Sequence, residues 1–214
     1  YGNRSAINVI KDLYKKTIKV LSSERPGNKV LIIVLDNFKS DHGMRVRGII
    51  KSVLADEQGI EVKECSRTTL NKLREIVNKN SGKVVLVNVS GNAYASECVN
   101  GTLPISLVKD LGKKGVLFVV SAGNEGELRN VFPFLDNVLV VGGAVKKKGK
   151  LQRWIETSNG TSFGPDLFAL SLVTNGGEAV TSYDQPRVTA LLALILARNP
   201  KMTTQEAIEF LRSE

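Results

Sequence analysis

Apolar residues along this chain fall into two rhythms. Four runs are almost continuously apolar and rich in β-branched residues: KVLIIVLD from Lys29, KVVLVNVS from Lys83, GVLFVVSAG from Gly115 and NVLVVGG from Asn137. Lacking the in-out alternation of a half-solvated strand, they read as strands buried on both faces, as in a parallel sheet. Elsewhere the spacing turns helical. Ile7, Ile10, Tyr14, Ile18 and Leu21 recur with lysines between them, which predicts a helix over 5–22, broken by ERPGN from Glu24. Further helices are predicted over 43–56, 68–80 and 103–113. Two more close the chain, over 184–198 and 203–212, the last with a capping pattern at Thr203 and Glu206. Strand and helix alternate, so the expected fold class is α/β: three layers, a mostly parallel sheet with helices on both faces. With no internal repeat and no low-complexity linker, residues 1–214 read as one compact domain.

Composition narrows the function classes. Hydrophobic residues make up 42% and charged residues 24%, ordinary values for a soluble globular chain. No run approaches the roughly 18 apolar residues of a membrane span, and the opening YGNRSAINVI lacks the layout of a signal peptide. The expectation is a soluble chain with no membrane partner. The net charge of +9 is dispersed, and its one dense run, VKKKGKLQR from Val145, reads as a polar turn between two strands. Basic residues without interleaved aromatics on one face do not point to nucleic acid. Cys65 and Cys98 have no metal-ligand spacing, no oxygen-rich loop suggests calcium, and neither a metal nor another cofactor is expected.

Chemistry is sought where such sheets gather ligands, outside the carboxyl ends of the strands. Asp36, Ser90 and Asn124 all follow apolar runs there. The only histidine, His42, stands six residues after Asp36 at the start of a predicted helix. It reads either as a polar helix-start residue or as a general base, since imidazole titrates near neutral pH. Asp36 is a strand-end cap or the partner of that imidazole, with Asp41 as a rival. Asn124, between two glycines, is a turn residue or a side-chain donor. Two Thr-Ser pairs compete as bearers of a nucleophile, Ser162 in NGTSFGPD and Ser182 in AVTSYDQPRV. A long apolar helix follows Ser182 but not Ser162, and a helix start surrounds a serine with free N–H groups and the positive end of the dipole.

Taken together, VLIIVLD, HGMRVRGII, VNVSGN, VVSAGNEG and TSYDQPRVTALLALILARNP resemble, in order and character, the motifs of the subtilisin-like serine proteases, or subtilases. The resemblance runs from about Lys29 to the last helix, with aspartate, histidine and serine in the subtilisin order. It implies a subtilisin-like fold and peptide-bond hydrolysis through an Asp36-His42-Ser182 triad. Asn124 would be the oxyanion-hole asparagine. Ser90, Gly91 and Asn92 would begin the edge that pairs with an extended polypeptide substrate, and Ala122 and Gly123 would help wall the pocket beside the scissile bond. NGTSFGPD leads into a short strand, DLFAL, which makes Ser162 a loop residue. His42 as base implies a rate that falls below about pH 6, when imidazole takes up a proton; a rate flat to pH 4 would contradict that role.

The likeness departs from the family around the nucleophile. Val180 stands where a glycine is usual, Leu170 where proline is common, and Tyr183, Asp184, Gln185, Pro186 and Arg187 replace a run of small residues. The Asp36–His42 segment is also short. Such changes fit narrowed specificity, a need for an activating partner or flanking domain, or a catalytically silent subtilisin-fold module that binds peptides or proteins. An esterase or amidase using the same triad is a third reading.

Overall fold

In the computed structural model the described residues are 27–55, 57–66, 69–90, 103–124, 135–147, 150–153, 167–170 and 181–213. The predicted helix over 5–22 lies outside them, as do Gly91, Asn92, Cys98, Ser162 and Val180. Seven strands form the sheet: β1 (Val30–Asp36), β2 (Ile60–Ser66), β3 (Val84–Val89), β4 (Leu117–Ser121), β5 (Val138–Lys147), β6 (Lys150–Arg153) and β7 (Leu167–Leu170). Their order is β2-β1-β3-β4-β5-β6, with β7 also paired to β5, and every pairing is parallel except β5 with β6. The helices are α1 (Asp41–Leu54), α2 (Leu70–Lys79), α3 (Ile105–Gly112), α4 (Thr181–Arg198) and α5 (Thr204–Ser213).

The period-two geometry of β1 sorts its side chains into two cores. Val30, Ile32 and Val34 pack with α1, α4 and α5 residues such as Val46, Ile50, Leu192 and Ile208. Leu31, Ile33 and Leu35 pack on the other face with Leu73 and Val77 of α2 and Leu107, Val108 and Leu111 of α3. This gives three layers, with β1 apolar from Val30 to Leu35 because both its faces are dry. α4 is buried almost all round, as a helix without a polar face must be. Among the described residues, no helix is long and apolar enough to cross a membrane.

β2 lies outside the four apolar runs. It is an edge strand, and IEVKECS carries charges because much of it meets solvent. Glu61 accepts from Lys83 at 2.7 Å and from Lys63 at 2.9 Å, and the Lys83 bond first, then the Lys63 bond, holds its carboxyl below the usual range. The basic run from Val145, read as a turn, is mostly strand: β5 reaches Lys147 and β6 begins at Lys150. α4 begins at Thr181, three residues before its predicted start, so Pro186 lies inside the helix. There it deprives only the Ser182 carbonyl of its i+4 partner.

The predicted cap of α5 is present in full. Thr203 donates its backbone N–H at 2.7 Å and its hydroxyl at 2.8 Å to Glu206 Oε2, and its Oγ1 accepts the Glu206 N–H at 3.2 Å. The backbone bond first and the hydroxyl bond second lower the pKa of Glu206. A depressed folded pKa contributes stability above the unfolded value near 4.5 and loses it as pH falls through the folded one. Glu206→Gln is expected to flatten the acid limb of stability against pH, measured as urea midpoints from pH 6 to 3; an unchanged limb would show the cap to be uncoupled from folding.

Candidate active site

β1 carries Asp36 to the carboxyl end of the sheet, where it is 3% exposed. Its Oδ1 accepts the N–H of Asn37 at 2.7 Å, and Oδ2 lies 3.0 Å from His42 Nδ1. An ionised carboxylate only accepts, so Nδ1 carries the proton and the neutral ring presents its lone pair at Nε2. The short loop between the two residues works because α1 starts almost on top of it. A Cβ at Gly43 would stand 3.0 Å from the Asn37 carbonyl and 3.1 Å from the Phe38 ring, so a larger residue there would have to push these neighbours back by a few tenths of an ångström. Asp41, one residue from His42 at the first position of α1, is exposed and is not the aspartate bonded to the imidazole.

Ser182 is the second residue of α4 and 5% exposed. Tyr183, next to it, lies against the His42 ring, with centroids 5.7 Å apart and planes inclined by 29°. That stack brings the start of α4 to the start of α1.

Asn124 is tied to the same helix end. Its Oδ1 accepts the backbone N–H of Thr181 at 2.8 Å and the Thr181 hydroxyl at 2.9 Å. The first N–H groups of a helix have no partner within it, and here a side chain from the end of β4 supplies one. The same acceptor fixes the orientation of the amide, whose donor branch is Nδ2. Gly123, just before it, has φ +91°, a left-handed conformation that glycine adopts without strain.

The remaining expected residues are placed unevenly. Ser90 is fully buried and donates to Gln185 Oε1 at 2.6 Å, so any contact it offers outward is through its backbone. Ala122 is 1% exposed with its N–H given to the Val141 carbonyl at 2.8 Å, whereas Gly123 is half-buried. Gly91 and Asn92 lie outside the described residues. Three features went unassigned in the sequence: the Tyr183 stack, the Thr181–Asn124 bonds and a buried amide cluster around Gln185. Polar residues at i and i+4 in an otherwise apolar helix, Gln185 and Thr189, together with Asn88 inside an apolar strand, were the available signal.

No protein-family model matches this sequence, and no curated protein matches it. Solved structures do. The prenylagaramide maturation protease PagA aligns with TM-score 0.62 and 20% identity over 92% of this chain and 87% of its own. A cold-adapted subtilisin-like serine proteinase aligns at 0.58 and 18%, over 88% and 82%. The fold is subtilisin-like. The S218A mutant of the PatA protease domain aligns at 0.59 and 17%, over 89% of each chain. At these identities the likeness extends to architecture alone; in this chain the ends of β1 and β4 and the start of α4 are joined at the carboxyl end of the sheet by the Asp36–His42, His42–Tyr183 and Asn124–Thr181 contacts. Chemistry has to be argued from the side chains gathered there.

Proposed function

We propose that this chain is a serine endopeptidase folded as a single domain, and the Asp36–His42 hydrogen bond beside the start of α4 is the observation that carries the proposal. Asp36 holds the Nδ1–H tautomer and stabilises the imidazolium. His42 Nε2 takes the Ser182 proton as Oγ attacks the scissile carbonyl, then returns it to the leaving amine, leaving an acyl-enzyme that water hydrolyses by the same steps. The backbone N–H of Ser182, in the first turn of α4, and the Asn124 amide donate to the oxyanion. The polypeptide substrate is bound as an extended strand along Ser90–Asn92, with Ala122 and Gly123 beside its scissile residue. An activating partner or flanking domain fits the low exposure of Ser182.

A fluorophosphonate probe tests this reading: it is expected to label the native protein once. A second reading, a silent peptide-binding module, draws on the same 5% exposure of Ser182, and a folded protein that resists the probe would favour it. Asn124 separates its two duties in one substitution. Asn124→Asp keeps an oxygen for Thr181 but removes the donors, so kcat is expected to fall by about 10²–10³ with little change in melting temperature. An unchanged kcat would remove Asn124 from the oxyanion hole.

A further inference from the structure

Gln185 lies three residues after Ser182, on the face of α4 that turns to the sheet, and it is fully buried. Its Nε2 sits 2.7 Å from the Val119 carbonyl, 2.8 Å from Asn88 Oδ1 and 3.0 Å from Thr189 Oγ1. Its Oε1 accepts the Ser90 hydroxyl at 2.6 Å, and Ser90 Oγ in turn accepts from Asn88 Nδ2 at 3.1 Å. Thr189 Oγ1 donates to Asn88 Oδ1 at 2.8 Å, so Asn88, Ser90, Gln185 and Thr189 form a closed set, all fully buried. A carbonyl can only accept, so the Val119 bond fixes which end of the Gln185 amide is nitrogen and leaves Oε1 for the Ser90 hydroxyl.

The elements joined are those that hold the site. Ser90 directly follows β3, Val119 lies in β4 ahead of Ala122, Gly123 and Asn124, and Gln185 belongs to the first turns of α4. We infer that Gln185 is a positioning residue that locks the Ser182 end of α4 to the exits of β3 and β4, so that the nucleophile and Ser90 are held as one unit. This deepens the protease reading and rests on it. Only an amide of this length supplies the donors and the acceptor together: glutamate loses the donors, asparagine is too short, and methionine bonds nothing. In a dry site each of these bonds is electrostatically strong, and its loss strands buried partners.

Gln185→Met conserves length and deletes the bonds. In the folded variant, the fluorophosphonate labelling rate is expected to fall on the order of 10²-fold, the effect of about 1 Å of misplacement, with KM for a peptide rising as kcat falls. A readout independent of turnover is the lone imidazole. His42 is the only histidine, so its ring-proton resonances are assignable at sight and sense the Tyr183 ring. They are expected to move toward the positions found in Tyr183→Leu. Thr189→Val, which trims the same cluster one turn farther from Ser182, should lower stability with labelling and resonances unchanged. If Gln185→Met does not fold, Ser90→Ala, which removes one bond from the other end, is read by the same resonances and should shift them in the same direction.

Wild-type labelling in Gln185→Met with unmoved His42 signals would overturn the inference while leaving the protease reading intact. Equal losses in Thr189→Val would overturn it too, by showing a general loosening of the helix. A native protein that resists the probe would end the protease reading, and the His42 resonances would still decide whether Gln185 sets the position of α4.

Discussion

Alanine at Ser182 is expected to abolish fluorophosphonate labelling and to lower kcat for a peptide by roughly 10⁶-fold, the scale seen when a subtilisin loses its serine. In the proposed triad the three residues act as a unit: without the hydroxyl the imidazole has no proton to take, and Asp36 would orient a base without a task. What remains is whatever binding and the oxyanion donors contribute with water as nucleophile. Alanine is also the strongest helix former, so the variant should fold and keep the Tyr183–His42 stack, which makes the loss chemical. Ser162→Ala is the matched control and should be labelled like the native chain. Labelling that persists in Ser182→Ala and vanishes in Ser162→Ala would transfer the nucleophile to Ser162.

The second large effect concerns stability. Asp184 is 2% exposed, and its Oδ1 accepts from Arg187 Nη1 at 2.9 Å, with the Arg187 side chain 15% exposed. Burial pulls the guanidinium below its usual range, and the Asp184 charge opposes that. Removing one member of a buried pair leaves the other charge desolvated without its counter-ion, at a cost of about 3–5 kcal/mol. Arg187→Leu is therefore expected to lower the urea midpoint strongly at pH 7 with little change in slope. Pairing it with Asp184→Leu removes the buried carboxylate as well and should restore much of the loss; a double variant as unstable as the single one would place the cost in packing.

The same helix shows where local pattern stops being informative. Its apolar length is plain in the sequence, yet Thr181–Tyr183 carry no helical signal of their own and the pattern starts only at Asp184. The Asn124 side chain stabilises that extra turn by capping Thr181 from 57 residues away. β2 escaped notice because an edge strand need not be apolar. The basic stretch from Val145 looked like a turn because lysine is a poor strand former, and pairing with β5 overrides that propensity.

The layering and the chemical candidates are legible in the residues alone. Runs such as VLIIVLD are tolerable only where both faces are dry, and that forces a parallel sheet covered by helices. The six-residue interval from Asp36 to His42 fits one strand-to-helix loop, so their bond was within reach of spacing arguments. Which groups close on one another across the chain emerges only from the folded arrangement: Tyr183 on His42, Asn124 on Thr181, and Gln185 on Ser90 across 95 residues. Periodicity reports which face of an element is buried, because burial is a one-body property of each residue. A hydrogen bond is a two-body property with a tolerance of a few tenths of an ångström, and distances of that kind exist only once the sheet has brought the strand ends together.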